Sequence, residues 1–139
     1  QQLILVAAPQ YLQAHGTPAT IKDLAKHQHV VFRMPTNGRD RPQQFRVRGR
    51  THTLEPAHSN RFDDGEAMVG AAVMGLGLTQ VPDYMAEDEL ADGRLVEVLP
   101  KLRPPVMPIY AVMPGNRMVP ARVRVLLDAL QTLPGARRQ

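Results

Sequence analysis

Three groups of residues in this 139-residue chain have types and spacings that could do chemistry. The first is Gly70, Gly75 and Gly77 in GAAVMGLGLTQVP, residues 70–82. Glycines in such a run can cradle a phosphate, but these do not match the dinucleotide fingerprint, and no Lys-Ser or Lys-Thr comes after them as in a P-loop. They also fall at the end of an expected helix, whereas phosphate sites use the free amides at a helix start. The second group is His27 and His29, which in an extended chain would project from one face and could share a metal. No third ligand is near in sequence, and an imidazole closing a helix, as His27 does here, interacts favourably with the helix dipole. The dipole role is preferred to a zinc site. The third group lies in SNRFDDGE, residues 59–66. Ser59 is the only serine and is not in a Gly-x-Ser-x-Gly elbow. Asp63, Asp64 and Glu66 could form an acid/base pair, but carboxylates at a helix start more often act as caps. No enzyme is expected.

The same stretch is a better candidate for small-ligand recognition. Free amides at a helix N-terminus, flanked by the Ser59 hydroxyl and the Asn60 amide, would suit a carboxylate. Asp63 and Asp64 put negative charge in the same place, so a merely capped helix stands beside that reading with equal weight. Met68 and Met74, with Met107, Met113 and Met118, are read as core filling rather than an adaptable pocket wall.

These residues must be positioned by a small set of elements. LILVAA, residues 3–8, reads as a buried strand. Tyr11–His15 make a helical turn ending at Gly16, and Thr20 with Asp23 caps a short helix over TIKDLAKH. HVVFRM, residues 29–34, reads as a second strand, continued by the polar loop PTNGRDRP. QFRVRGRTHTLEP alternates, with Phe45, Val47 and Gly49 on one face and Arg46, Arg48 and Arg50 on the other, which is a hairpin with one wet face. AHSNRFDD reads as a polar approach to a helix from Gly65, whose Ala67, Met68, Ala71, Ala72 and Gly75 fall at helical spacing. Gly75 or Gly77 can end this helix in the left-handed conformation, and Gly70 inside it permits close packing. LTQVP, residues 78–82, is a strand, 84–90 a helix, 94–100 a strand and 109–114 a strand. Val119–Leu133 is an amphipathic helix, with Pro120 in its first turn and Gly135 ending it. Strands alternate with helices throughout, so the expected fold is α/β with a mixed, mostly parallel sheet flanked by helices.

Composition narrows the classes further. Hydrophobic residues at 43% and charged residues at 22% are ordinary globular usage. No run approaches the roughly 18 to 20 apolar residues of a membrane span. The chain has no cysteine, which excludes thiolate chemistry and fits a reducing cytoplasm. Net charge is +4, with seven arginines from Arg33 to Arg61, yet few aromatics interleave them, so a solvated face is preferred to a nucleic-acid patch. There is no initiating Met and no basic leader, which makes a piece of a longer protein the expectation.

The order of features resembles the C-terminal effector-binding domain of LysR-type transcriptional regulators. The blocks that carry the resemblance are LVAAPQYLQAHGTP (5–18), DLAKH (23–27), Asn60, GAAVMGLGLTQVPDYM (70–85), LADGRLVEVLP (90–100) and YAVMPGNRMVPARVRVLLDAL (110–130). They cover nearly the whole chain in family order. The family usually carries a tryptophan two residues before the hairpin aromatic, where this chain has Gln43 before Phe45.

The resemblance implies a periplasmic-binding-protein-like fold, type 2, of two α/β lobes with an effector cleft between them. It implies that residues 1–114 are mainly the second lobe and that 115–139 carry a helix returning to a truncated first lobe. A winged helix-turn-helix absent from this chain would supply DNA binding. The cleft residues expected here are Arg33, Ser59, Asn60, Phe62 and Asp63. The expected partner is a small effector, with an organic acid as candidate class; no cofactor or metal is implied, and the parent would be a cytoplasmic homodimer or homotetramer. Because the first-lobe half is missing, weak effector binding by this chain alone, or none, is expected. A solute-binding protein of a transporter is the rival with the same architecture, and a signal peptide or a helix-turn-helix ahead of the chain would discriminate.

Overall fold

The computed structural model of the chain describes residues 1–110, 112 and 120–132. Residues 1–109 form one compact unit and residues 110–139 a second.

In the first unit β1, Leu3–Ala7, is buried along its full length, as an uninterrupted apolar strand covered on both faces must be. Pro9 opens α1, Pro9–His15, and Gly16 at φ 84 ends it. Thr20 and Asp23 then form the expected capping box, with the Thr20 amide 2.8 Å from Asp23 Oδ2. The capped segment, Ile21–Lys26, is a 3-10 helix rather than an α-helix, the tighter form usual in so short a piece. β2 spans His29–Phe32 and stops two residues early, because Met34 turns back and its amide bonds to the Arg39 carbonyl. The hairpin is β3, Gln43–Val47, with β4, Arg50–Leu54. Its turn residues Arg48 (φ 49) and Gly49 (φ 77) both take positive φ, the requirement of a type I′ turn. Phe45 is buried while Arg46, Arg48 and Arg50 face solvent, so the arginines are hairpin exterior.

The polar approach to the next helix is itself a strand, β5, Ser59–Phe62. α2 spans Gly65–Val73 and buries Met68, Val69, Ala71 and Ala72. Gly75 ends it at φ 81, with the Leu76 amide reaching back to Ala71 and that of Gly75 to Ala72, the Schellman pattern. Gly70 does not mediate close packing: it is exposed, and a Cβ there would meet nothing within 4 Å. The role belongs to Gly77, at φ 145, where a Cβ would be driven into the Gln28 carbonyl. β6 is Leu78–Pro82, α3 Glu87–Ala91 and β7 Val96–Val98. Of the strand expected over 109–114, residues 109, 110 and 112 have no strand conformation and the rest lies outside the described residues. In the second unit α4 covers Ala121–Gln131; Val119, Leu133 and Gly135 lie outside the described residues. Leu126 of α4 is 58% exposed and Leu130 43%.

The main sheet has the order β5-β2-β6-β1-β7. It is mixed: β2 pairs in parallel with β5 and β6, and β1 pairs antiparallel with β6 and β7. The hairpin is a separate two-stranded sheet, tied to β6 by the Gln44 amide to Gln80 Oε1 (2.8 Å) and Gln80 Nε2 to the Gln44 carbonyl (2.7 Å).

Candidate functional site

Parallel pairing sets the position of the candidate residues. β2 and β5 run in register from His29 opposite Ser59 to Phe32 opposite Phe62, so their carboxyl ends finish side by side. Ligands of open α/β sheets occupy the crevice outside such ends. There the Arg33 amide donates to the Phe62 carbonyl at 2.6 Å, and Asp63 comes next on exposed chain. Asp64 is the N-cap of α2, its Oδ1 accepting from the Ala67 amide at 2.7 Å, so one of the helix-start amides is already satisfied by the chain's own carboxylate.

The loop after β2 folds back and brings Asp40 into a bridge with Arg33. Arg33 Nε lies 3.1 Å from Asp40 Oδ1, and Arg61 Nε lies 2.8 Å from Asp40 Oδ2. One carboxylate therefore holds two guanidinium groups. Partial desolvation pushes the Asp40 pKa upward, but the hydrogen bonds and charges of Arg61 and Arg33 outweigh it and leave the carboxyl below its ordinary value.

The structure thus brings Arg33, Phe62 and Asp63 together and adds Asp40 and Arg61. Ser59 and Asn60 begin the same strand, so Ser59 stands three residues, or about 10 Å, from Phe62 at the opposite end of β5. Strand alternation sends Ser59 and Arg61 to one face and Asn60 to the other. Sequence reasoning missed Arg61, which it placed in a loop, and Asp40, whose role depends on the loop's return and has no local signal.

A second set of polar groups is buried on β2, β3 and β5. The Ser59 Oγ, the His29 Nδ1 and both polar side-chain atoms of Gln43 are buried and make no hydrogen bond of standard geometry. Gln43 is 3% exposed and lines a cavity of about 10 Å³ together with Leu3, Val31, Phe32, Met68 and Gln80, room for about one water. His29 Nε2 bonds to the Leu24 carbonyl at 2.9 Å, and burial depresses the imidazole pKa, with the Leu24 carbonyl and Gln43 acting the other way and His27 adding to the depression. His27 Nδ1 is 3.2 Å from the Tyr11 hydroxyl, which also accepts the Gln28 amide at 2.9 Å. Both histidines serve to join β2 to the elements that precede it. Among the described residues no three His, Asp or Glu side chains converge as a metal site, and no helix is long and apolar enough to cross a membrane.

A mixed sheet flanked by helices, with its candidate crevice at the carboxyl ends of parallel strands, is the architecture of LysR regulatory domains, which have the type 2 periplasmic-binding-like fold. The regulatory domain of AphB from Vibrio vulnificus superposes with a TM-score of 0.60 at 29% identity over 75% of this chain and 51% of that one. Full-length AphB of Vibrio cholerae, a virulence activator, gives 0.58 at 30% identity, over 73% of this chain and 34% of that one. In sequence the chain is similar to the probable HTH-type transcriptional regulator LtrA of Klebsiella pneumoniae, 29% identical over 94% of this chain and 43% of that protein. It is also similar to the HTH-type transcriptional regulator CrgA of Neisseria meningitidis, 28% identical over 91% of this chain and 42% of that protein. The family model for the LysR substrate binding domain matches residues 1–134, and the chain belongs to that family. It spans less than half the length of these curated relatives.

Proposed function

We propose that the chain is the effector-sensing part of a LysR-type transcriptional regulator, with residues 1–114 forming mainly the second lobe and 115–139 carrying a helix that returns to the first. The observation that carries this reading is the family match along residues 1–134, with relatives that are transcriptional regulators. A small molecule, for which we propose an organic acid, binds at the cleft end of β2 and β5 through Arg33, Phe62 and Asp63, with Ser59 and Asn60 on the same strand. Binding changes the population of lobe and subunit arrangements in a cytoplasmic homodimer or homotetramer, and so changes DNA binding by the winged helix-turn-helix of the whole protein. The site binds and does not catalyse. The regulator relatives also favour this reading over a transporter's solute-binding protein. The test is the full-length protein on its own promoter region, monitored by fluorescence anisotropy while small acids are added. Promoter binding that shifts with one of them is the expected result; a full-length protein without a DNA-binding domain would overturn the proposal.

A further inference from the structure

Within the described residues the arginines that pair with carboxylates divide by how completely their charge is answered. Arg94 is held by two carboxylates, Asp92 Oδ2 at 2.7 Å from Nε and Glu89 Oε1 at 3.2 Å from Nη2. Arg103 grips Glu97 through both Nε (2.6 Å) and Nη2 (2.5 Å). Arg33 and Arg61 reverse the ratio, sharing the single carboxylate of Asp40 and each touching it through Nε alone. The Nη groups of Arg33 make no further hydrogen bond, and those of Arg61 make only a long one, 3.4 Å from Nη1 to the Ser59 carbonyl. Both side chains are nearly half exposed, at 48% and 44%.

A guanidinium presents a second edge, its two Nη groups, with the spacing of a carboxylate's two oxygens. We propose that Arg33 and Arg61, splayed by Asp40, form a carboxylate-recognition subsite that reads an acid group of the effector through these free Nη edges. The inference rests on the effector-sensing reading and deepens it by adding Arg61 and Asp40 and fixing the ligand group. Asp40 is the positioning residue: by taking both Nε groups it fixes the two forks and leaves the trio with a surplus positive charge. Asp64, the nearby cap, is engaged by the Ala67 amide. Asp63 is the exposed carboxylate beside the subsite, and its repulsion disfavours a second acid group on the α2 side, so a monocarboxylate suits the site better than a dicarboxylate.

The probe is the carboxylate group itself. Acetate and benzoate are titrated into the full 139-residue chain at constant ionic strength, with the arginine Nε–H signals monitored by NMR and benzamide as the neutral isostere. The Arg33 and Arg61 signals are expected to move along saturating curves with both acids and to stay still with benzamide, while those of Arg94 and Arg103 do not move. Arg61→Gln and Arg61→Lys should each weaken benzoate binding about fivefold or more, the lysine because it keeps charge but loses the fork. Shifts that grow linearly at all arginines, an equal response to benzamide, tighter binding of inorganic phosphate than of either acid, or unchanged affinity in Arg61→Gln would each overturn the subsite. A neutral compound that alters promoter binding by the full-length regulator while the acids do nothing would overturn the subsite and leave the effector-sensing reading standing.

Discussion

Gln43 has the least satisfied side chain of the described core: neither polar atom of its buried amide makes a hydrogen bond of standard geometry, although the amide interacts with His29, and a water-sized cavity lies beside it. A buried amide without hydrogen bonds costs more than an apolar group of the same shape. Gln43→Met is therefore expected to stabilise the chain by about 1 kcal/mol, measured by urea unfolding; a loss of similar size would mean that a water in the cavity satisfies the amide. His29 and His27 make a second residue-scale case. Burial holds both imidazoles below their ordinary pKa, His27 adding to the effect at His29 and His15 to that at His27. The folded imidazoles then stay neutral where unfolded ones would take up protons, so the unfolded state binds more protons as pH falls below about 6.5. The stability these residues contribute is fully present above that pH and is lost below it. Melting temperature should fall between about pH 7.5 and 5.5, a window above carboxylate titration, and His29→Gln should flatten the profile; a melting temperature that rises on acidification would contradict this. At this scale the sequence exposed single roles, such as Asp64 as a cap, but not partnerships. Arg61 and Asp40 meet only because a loop returns across the strand ends.

At the scale of elements, legibility tracked apolar periodicity. β1, β2, α2 and the hairpin announce themselves through runs or alternation of buried residues, and their bounds moved by one to a few residues. β5 does not, because Ser59, Asn60 and Arg61 are polar and only Phe62 is a large apolar residue; it is a strand because the backbone of β2 offers it a parallel edge, which no local pattern encodes. The central helix shows the same division. Its glycines could be seen to end it, but which glycine meets another backbone depends on where Gln28 lies. Gly77→Ala is expected to cost about 3 kcal/mol or more, since it combines a positive φ with a Cβ driven into a carbonyl. Gly70→Ala, with open space around it in the same helix, should stabilise by about 0.5–1 kcal/mol. Thermal melts of the two variants check both, and similar effects from the pair would refute the assignment of close packing to Gly77.

At the scale of the molecule, the alternation of elements indicated an α/β class, and the ordered blocks of residues indicated the family, but neither dictated that half of the sheet pairings run antiparallel. Strand direction is set by where each connection re-enters the sheet, and β1 lies between β6 and β7 although both are distant from it in sequence. The closure of this arrangement is local to residues 1–109. The buried apolar cluster runs from Ile4 to Val98, with Leu99 and Leu102 packed against it. Beyond it the chain returns to β1: Gln1 and Met107 exchange hydrogen bonds at 3.2 and 2.8 Å, and Gln2 Nε2 reaches the Pro104 carbonyl at 3.0 Å. A chain ended after Ile109 keeps the cluster and this clasp, so it should unfold cooperatively with a melting temperature close to that of the full chain. A chain ended after Leu99 keeps the buried cluster but loses the clasp, the Arg103–Glu97 ion pair and the packing of Leu102. At roughly 1 kcal/mol for a typical hydrogen bond, reduced by partial exposure, that loss amounts to about 2 kcal/mol, or roughly 8–16 °C for a domain of this size. Calorimetry on the two truncations separates the cases. Equal melting temperatures would show the clasp to be dispensable, and failure of the longer truncation to fold would show that residues 110–139 belong to the folding unit.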